Sequence, residues 1–303
     1  LRVEDAFLRS VLPGRSGQPP LGLCIDRSGV HFDSTQPSDL EQMLATHPLD
    51  DTARLQRART PAARLKQAQI SKYNAFDLDA PLPQAPYVLV IDQTRDDASL
   101  IGTHEGVFQE MLVFAQTEHP GSRIIIKTHP ETAAGHRPGH FGSKDETDRV
   151  QLCTDPVSPW QLLENATAVD TVSSQLGCEA IYAGHKPRVF GQPFYAGWGL
   201  STDEFPVQRR QRKLTRAQLF AGAMMLYPKW YDPFRDSLGD IETAIDTLGA
   251  ETRAWRADHK GWVASGIRMW KRKPMQKVFG RYKAMQFTDD PVSARASART
   301  WMV

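Results

Sequence analysis

Three acidic residues follow one apolar run closely enough to act in the same reaction. Asp92, Asp96 and Asp97 lie within six residues, directly after the sequence YVLVI. A carboxylate in such a place can attack an electrophilic carbon as a nucleophile, or accept a proton as a general base. The alternative is that two of the three only cap the segment that follows. A second acid pair, Glu4 and Asp5, stands at the end of a short predicted strand near the start of the sequence.

Residues suited to holding an anion follow other apolar runs. Ser173 and Ser174 come after AVDTV and begin a helical pattern, so the free N–H groups of that helix could bind a phosphate; the alternative is a plain N-cap. His129, after RIIIKT, could donate to a phosphate or a leaving group, although a lone histidine is often structural. Glu179, in the same helix as the serines, could reach a ribose diol or lie in solvent as a surface acid.

A loop rich in glycine and aromatic residues, GQPFYAGWGL, follows the last apolar run. Its glycines permit a close approach between the backbone and a ligand. Tyr195 and Trp198 could cover a base or a sugar, or fill the crevice between two domains. The loop therefore joins the acids, the histidine and the serines as a candidate part of one site.

The segments that would carry these residues alternate between strand and helix after residue 85. The predicted strands are YVLVID, RIIIKTHP, AVDTVSS and KPRVFG, and the predicted helices are GVFQEMLVFAQTEH, SPWQLLENA and QLGCEAIYAG. This order predicts a doubly wound parallel sheet, in which ligands bind beyond the carboxyl ends of the strands. Because each group of polar residues follows a predicted strand, we expect the groups to meet in one crevice.

The segments on either side of that sheet give weaker patterns. RVEDAFLR, LGLCID and GVHFDS are predicted short strands, and PSDLEQMLATH predicts a helix capped by Ser38. The long polar segment from Asp50 to Asn74 predicts a helix broken near Pro61. The Pro-rich DLDAPLPQAPY predicts a linker, so its DxD pattern is interpreted as a solvated loop. TRAQLFAGAMMLYPKW predicts a further helix.

The composition is typical of a globular protein and excludes several classes. The 303 residues are 40% hydrophobic and 24% charged, and the net charge of +2 does not indicate a nucleic-acid partner. Three cysteines without a CxxC pattern indicate neither a disulfide framework nor a zinc ribbon, and they favour a reducing compartment. Neither GxxxxGK(S/T) nor HExxH occurs, and no metal site is predicted. Since the sequence begins at Leu1, we expect part of an N-terminal domain to lie upstream.

Several of these segments together resemble the capsule polysaccharide biosynthesis family of bacterial β-Kdo transferases, the KpsC type. The matching pieces stand in family order within about residues 1 to 235: VEDAFLRS, PPLGLCIDRSGVHFDSTQPSDLEQML, SKYN, VLVIDQTRDDAS, IKTHPE, TVSSQLGCEAIYAG and FGQPFYAGWGL. The resemblance implies an α/β fold of the GT-B glycosyltransferase type, with two Rossmann-like domains facing a cleft and the N-terminal one incomplete here.

The same resemblance implies a division of the chain into four parts. Residues 1–80 would be the remainder of the N-terminal, acceptor-side domain, and residues 85–225 the nucleotide-sugar-binding domain. Residues 226–275 would form C-terminal helices and a connector, and residues 276–303 the start of a second module. The basic tail WKRKPMQKVFGRYK could touch an anionic membrane surface or form a solvated helix.

A protein of this family would be a retaining glycosyltransferase that moves Kdo from CMP-Kdo to a lipid-linked acceptor. The acceptor would be of the phosphatidylglycerol type, and CMP-Kdo would be a substrate, with no further cofactor. The protein would work in the cytoplasm at the inner face of the cytoplasmic membrane, beside capsule assembly and export proteins. Two alternatives are another CMP-sugar transferase, similar to sialyltransferases, and a non-catalytic capsule assembly or export factor.

The resemblance also implies roles for individual residues. Asp97 would be the nucleophile, and Glu4 or Asp5 would activate the acceptor. The residues that would bind the nucleotide sugar are His129, Pro130, Ser173, Ser174, Glu179, Gln93, Lys127, Gln192 and Tyr195.

Overall fold

The computed structural model describes residues 1–302, which form two compact units, Leu1–Asp246 and the chain from Thr247 onwards. The α-helices are α1 (Asp39–Thr46), α2 (Thr52–Ala68), α3 (Val107–Glu118), α4 (Pro130–Ala133), α5 (Pro159–Asn165), α6 (Gln175–Ala183), α7 (Arg216–Phe220), α8 (Ile241–Asp258), α9 (Met269–Phe279) and α10 (Pro291–Ala296). The strands are β1 (Arg2–Asp5), β2 (Gly22–Asp26), β3 (Tyr87–Ile91), β4 (Arg123–Lys127), β5 (Val150–Cys153), β6 (Ala166–Thr171), β7 (Arg188–Val189), β8 (Thr202–Asp203), β9 (Pro228–Asp232), β10 (Ser237–Gly239), β11 (Trp262–Ala264), β12 (Gln286–Phe287) and β13 (Thr300–Met302).

A parallel sheet with the strand order β5-β4-β3-β6-β7-β8 forms the centre of the first unit. Every residue of β3 is buried, because helices cover both faces of the sheet. On one face Val90 lies in a core cluster with Phe108 and Met111 of α3. On the other face the Tyr87 hydroxyl donates to the carbonyl oxygen of Leu162 in α5, at 2.9 Å. The strands and helices predicted after residue 85 are thus present, and their order gives the expected α/β sheet.

Two strands of this sheet, β5 and β8, were not predicted. Both lie at its edges, where strands are short and carry little hydrophobic pattern. β7 is also shorter than predicted, at two residues. The predicted helix after Thr215 gives only α7, a π-helical turn at Ala221–Leu226 and then β9.

Two predictions for the N-terminal segment are wrong. GVHFDS does not form a strand, because the Asp26 carboxylate accepts hydrogen bonds from the backbone N–H groups of Ser28 and Gly29, at 3.0 and 2.8 Å, and turns the chain after β2. Helix α2 is not broken at Pro61, which lies on the buried face of a continuous helix together with Leu65. Packing of that face compensates for the backbone hydrogen bond that proline cannot make. The predicted N-cap of α1 is confirmed, since the Ser38 side chain accepts from the N–H of Glu41.

A second sheet of the first unit is antiparallel, with the order β1-β2-β9-β10. Glu4 pairs with Cys24 across β1 and β2, and Gly22 of β2 pairs with Trp230 of β9. One sheet therefore joins the start of the sequence to residues 228–239, across the boundary predicted at 226. The strands of the predicted 1–80 segment are antiparallel, and this sheet differs from the parallel sheet of a Rossmann-like domain.

The second unit contains a small parallel sheet with the order β12-β11-β13. Helix α9 contains the part WKRKPMQKVF of the predicted basic tail, and Met269, Trp270 and Val278 on it are exposed. The boundary predicted at 276 falls inside this helix. None of the helices in residues 1–302 has both the length and the apolar character needed to cross a bilayer.

Candidate active site

A cavity of about 570 Å³ lies in the first unit, at the carboxyl ends of β3, β4 and β6. Residues of β1 and of the segment 71–73 also line it. The structure brings together most of the residues assigned from sequence, since the cavity is lined by Asp97, Glu4, Asp5, His129, Pro130, Ser173, Ser174, Glu179, Gln93 and Lys127. The parallel strands explain this convergence, because their carboxyl ends share one edge of the sheet.

Asp97 is half-buried and caps the 3-10 turn that follows it. Its Oδ1 accepts hydrogen bonds from the N–H and the hydroxyl of Ser99, at 2.9 and 2.7 Å. The Ser99 hydroxyl lies 2.9 Å from that of Ser173, whose N–H donates to the Gln93 side chain at 2.8 Å. These bonds tie the loop after β3 to the end of β6. Among residues 1–302 the second carboxylate oxygen of Asp97 accepts no hydrogen bond, and Asp97 lines the cavity.

The edge of the cavity at α6 and His129 can hold an anion. Ser174 is the N-cap of α6, with its hydroxyl accepting from the N–H of Leu176 at 3.3 Å, so the N-cap interpretation holds for this residue. His129 caps α4 and accepts the N–H of Glu131 on Nδ1 at 3.2 Å, so the neutral ring carries its proton on Nε2. Burial lowers the pKa of His129 and favours that neutral form. A phosphate here would meet a helix N-terminus and a histidine donor.

Tyr195 and Gln192 do not line the cavity, although the sequence assigns both to it. Tyr195 is fully buried, and its hydroxyl donates to the carbonyl oxygen of Ser174 at 2.6 Å, so it supports the N-terminus of α6 from behind. The Gln192 side chain accepts from the Ser34 hydroxyl at 2.6 Å and donates to the carbonyl oxygen of Phe205 at 3.1 Å. Both side chains are therefore engaged with the protein itself.

Glu179 lies in the cavity wall, and it is not a solvated surface acid. Both of its carboxylate oxygens accept from the Ser71 hydroxyl, at 2.8 and 2.9 Å, and the carboxylate also accepts from the backbone N–H of Lys72. Burial raises the pKa of Glu179 to about 7. These contacts hold the segment 71–72 against α6, and Glu179 is only 6% exposed.

The two acids of β1 have different surroundings. Asp5 forms an ion pair with Arg9, whose guanidinium also donates to the Ser10 hydroxyl. Burial, followed by the negative charge of Asp5, raises the pKa of Glu4. A carboxyl group with a raised pKa exchanges protons more readily near neutral pH, so Glu4 suits proton transfer better than Asp5 does.

Lys127 and Asp92 are held at the ends of β4 and β3. Burial lowers the pKa of Lys127, whose ammonium donates to the carbonyl oxygen of Asp155 at 2.9 Å. Asp92 is only 2% exposed, and its Oδ1 accepts from the N–H groups of Gln93 and His140, at 2.9 and 3.1 Å. Burial raises the pKa of Asp92 to about 6. The Asp92 carboxylate thus ties the loop that carries Asp97 to residue 140.

Sequence reasoning missed several residues that line the cavity: Arg9, Arg15, Lys72, Ser99, Thr128 and Arg137. Ser99 and Thr128 could have been found, because they lie within the strand-end segments that were already singled out. The other four stand outside those segments. No group of three or more His, Cys, Asp or Glu side chains in residues 1–302 is arranged to hold a metal ion.

Comparison with known proteins gives related sequences. The capsule polysaccharide biosynthesis protein family model matches residues 1–82 and 54–229. The capsule polysaccharide modification protein LipA of Neisseria meningitidis serogroup B is 34% identical over 293 residues, which is 92% of this chain and 42% of LipA. The lipopolysaccharide-processing protein LpsZ of Rhizobium meliloti is 36% identical over 258 residues, 82% of this chain and 58% of LpsZ. The chain thus spans about half the length of these relatives.

Two solved structures are similar in fold. The Thermosulfurimonas dismutans KpsC β-Kdo 2,4 transferase superposes with a TM-score of 0.77 and 36% identity, over 82% of this chain and 78% of the other. The β-Kdo 2,7 transferase of the same organism gives a TM-score of 0.65 and 28% identity, over 82% and 76%. The α/β fold of the GT-B type is thereby confirmed, and the family match shows that the chain belongs to the capsule polysaccharide biosynthesis family.

Proposed function

We propose that this chain is a glycosyltransferase that moves Kdo from CMP-Kdo to a lipid-linked acceptor in capsular polysaccharide biosynthesis. The observation that carries the proposal is the convergence of Asp97, His129 and the N-terminus of α6 on one cavity at the carboxyl edge of the parallel sheet. Support comes from the fold, which is shared at 36% identity with a protein described as a β-Kdo transferase.

The donor phosphate would bind at the N-terminus of α6, within reach of the His129 Nε2–H group. Backbone N–H groups and the helix dipole favour a negative charge at this place, and His129 adds a hydrogen bond without a charge of its own. The negative charge on the phosphate grows as CMP departs. These donors therefore stabilise the leaving group more strongly in the transition state than in the bound donor.

Asp97 would attack the anomeric carbon with its unpaired carboxylate oxygen. The bond from that carbon to the phosphate oxygen breaks, its electron pair leaves with CMP, and the sugar becomes covalently attached to Asp97. An acceptor hydroxyl then displaces Asp97 from the carbon while Glu4 accepts the hydroxyl proton. Each displacement inverts the configuration, so the two together retain it.

The acceptor would be a lipid-linked Kdo of the phosphatidylglycerol type, which requires the protein to work at the inner face of the cytoplasmic membrane. The exposed Met269 and Trp270 of α9, beside Lys271, Arg272 and Lys273, support contact with an anionic lipid surface. Capsule assembly and export proteins would then be the neighbours of this enzyme in the cell.

The first test is intact-protein mass spectrometry after incubation with CMP-Kdo and no acceptor. We expect a mass gain of one Kdo in the unmodified chain, and no gain in Asp97→Ala, which should still bind CMP. Asp96→Ala is the matched control, because it removes an exposed carboxylate beside Asp97 and should keep the gain. Near-normal transfer by Asp97→Ala would overturn the assignment of the nucleophile. Absence of any Kdo transfer to a lipid-linked acceptor would overturn the function.

A further inference from the structure

The cavity contains a lysine, Lys72, for which the proposed mechanism has no task. Three of the other cations in the cavity wall are held by the protein: Arg9 by Asp5, Lys127 by the carbonyl of Asp155 and Arg137 by Glu131 at 3.7 Å. Arg15 is exposed. Lys72 is half-buried, and its ammonium lies 5.5 Å from the centre of the Tyr73 ring. No carboxylate among residues 1–302 is within ion-pair distance of it.

The backbone of Lys72 is fixed on both sides. Its carbonyl oxygen accepts from the N–H groups of Arg9 and Ser10, at 3.2 and 3.4 Å, in the segment that follows β1. Its own N–H donates to the buried carboxylate of Glu179 in α6, which Ser71 also contacts. The Lys72 side chain is half-buried and its backbone is held in place, so an anion bound beside it would gain a counter-charge with little further ordering of the chain.

Lys72 lines the same cavity as Glu4 and His129, the residues assigned to the two halves of the proposed reaction. Burial raises the pKa of Glu4 and lowers that of His129, and in both groups the positive charge of Lys72 acts in the lowering direction. Its charge thus reaches the acid on the acceptor side and the histidine on the phosphate side. The anomeric carbon of the donor would react between the phosphate side and the acceptor side, because Asp97 first replaces the phosphate oxygen and the acceptor oxygen then replaces Asp97.

We propose that Lys72 binds the carboxylate of the transferred sugar through a charge-assisted hydrogen bond. Kdo is a keto-acid sugar, and its carboxylate is attached directly to the anomeric carbon. The inference rests on the proposed function and adds the means by which this site selects an acidic sugar. A neutral sugar at the same place would leave the ammonium without a counter-charge, so Lys72 favours keto-acid donors over neutral ones.

The test measures binding of CMP and of CMP-Kdo by calorimetry in an Asp97→Ala background, in which the donor is not consumed. We expect Lys72→Met to weaken CMP-Kdo binding by roughly 10- to 100-fold and to change CMP binding by less than about threefold, since only the sugar carries the carboxylate. Lys72→Arg should recover part of the loss because it keeps the charge. Lys144→Met is the control, as Lys144 is exposed and lies outside the cavity wall.

A second measurement changes the ligand instead of Lys72, so its result does not depend on whether the Lys72→Met variant is stable. A CMP-Kdo analogue with a carboxamide in place of the carboxylate should bind the Asp97→Ala chain about as weakly as CMP-Kdo binds the chain that also carries Lys72→Met. Equal weakening of CMP and CMP-Kdo by Lys72→Met would assign Lys72 to the phosphate and overturn the proposal. A rise only in the KM for the acceptor, measured with Asp97 intact, would assign it to an acceptor anion and overturn it as well.

The proposed function and this inference fail in different ways. If the unmodified chain binds neither CMP nor CMP-Kdo, the function itself is wrong. The other outcome is that the chain binds CMP-Kdo and transfers Kdo, while neither Lys72→Met nor the carboxamide in the donor lowers the affinity for the donor. In that case only the role of Lys72 is wrong.

Discussion

The N-terminus of α6 depends on a close approach between Gly177 and Tyr195. A Cβ atom at position 177 would lie 2.3 Å from the Tyr195 hydroxyl oxygen and 2.8 Å from the Cγ2 atom of Thr171. Tyr195 is fully buried, so its ring cannot move into solvent. In Gly177→Ala the hydroxyl must leave the Ser174 carbonyl, or the first turn of α6 must shift away from the sheet.

The size of the effect follows from three contributions. Overpacking of a rigid core costs about 1–3 kcal/mol, and loss of the Tyr195 hydrogen bond costs about 1 kcal/mol. The better helix propensity of alanine offsets about 1 kcal/mol. We therefore expect Gly177→Ala to lower the free energy of unfolding by about 1–3 kcal/mol, and Tyr195→Phe by about 1 kcal/mol. Phenylalanine lacks the hydroxyl oxygen but keeps the ring Cζ atom, which lies 2.8 Å from the added Cβ, so the double variant should be more stable than additivity predicts by up to about 1 kcal/mol.

The assay is a double-mutant cycle by urea denaturation, with CMP affinity measured on the same proteins. We expect Gly177→Ala to weaken CMP binding, and the added Tyr195→Phe to restore part of it, since Ser174 begins the helix at which we propose that the phosphate binds. Gly121→Ala is the matched control, because a Cβ at that position meets nothing within 4 Å. Losses that add within about 0.5 kcal/mol would refute the reasoning, because they would show that the hydroxyl is not the atom displaced.

Two further predictions concern titratable residues of the cavity. Burial raises the pKa of Asp92 to about 6, so the folded chain binds this proton more tightly than the unfolded chain, and ionisation costs up to about 3 kcal/mol at pH 7. Asp92→Asn should therefore stabilise the chain against urea at pH 7, with a gain that shrinks to about 0.5 kcal/mol at pH 4 and disappears below the pKa of the unfolded chain; an equal gain at pH 7 and pH 4 would contradict this. His129→Ala should weaken CMP binding roughly tenfold by calorimetry, whereas His129→Gln should keep part of the affinity through its amide donor. Unchanged affinity in His129→Ala would remove His129 from the phosphate site.

The parallel sheet and its polar edge could be predicted because a strand that is buried on both faces is a short continuous run of apolar residues in the sequence. A run such as Tyr87–Ile91 has no polar face, and the residues that follow it have to emerge at the edge of the sheet. Asp97, His129 and Ser173 were found in this way. Their convergence depends on strand direction, which the strand–helix alternation already predicts.

The remaining contacts could not be predicted, because they join residues far apart in the sequence. Glu179 is an ordinary acid in a helical pattern, and its partner Ser71 lies 108 residues earlier. Tyrosine and glutamine occur both in ligand sites and in protein interiors, so the residue types of Tyr195 and Gln192 do not distinguish the two. Only the path of the folded chain behind α6 does. The sequence of β9 contains no pattern that identifies β2 as its partner, so the second sheet could not be predicted from the sequence.

The antiparallel sheet determines the order in which parts of this protein can fold during its synthesis. Within residues 1–302, β1, which carries Glu4, pairs with β2 alone, and a two-stranded pair is marginally stable in water. The support for β2 comes from β9, which leaves the ribosome about two hundred residues later. The loops that hold Asp97 and Ser173 belong to the parallel sheet, which is synthesised in full before β9 and can pack first. A nascent chain can therefore form the cavity edge that contains His129 and Ser173 while Glu4 is still mobile, although Glu4 is synthesised before every residue of that edge.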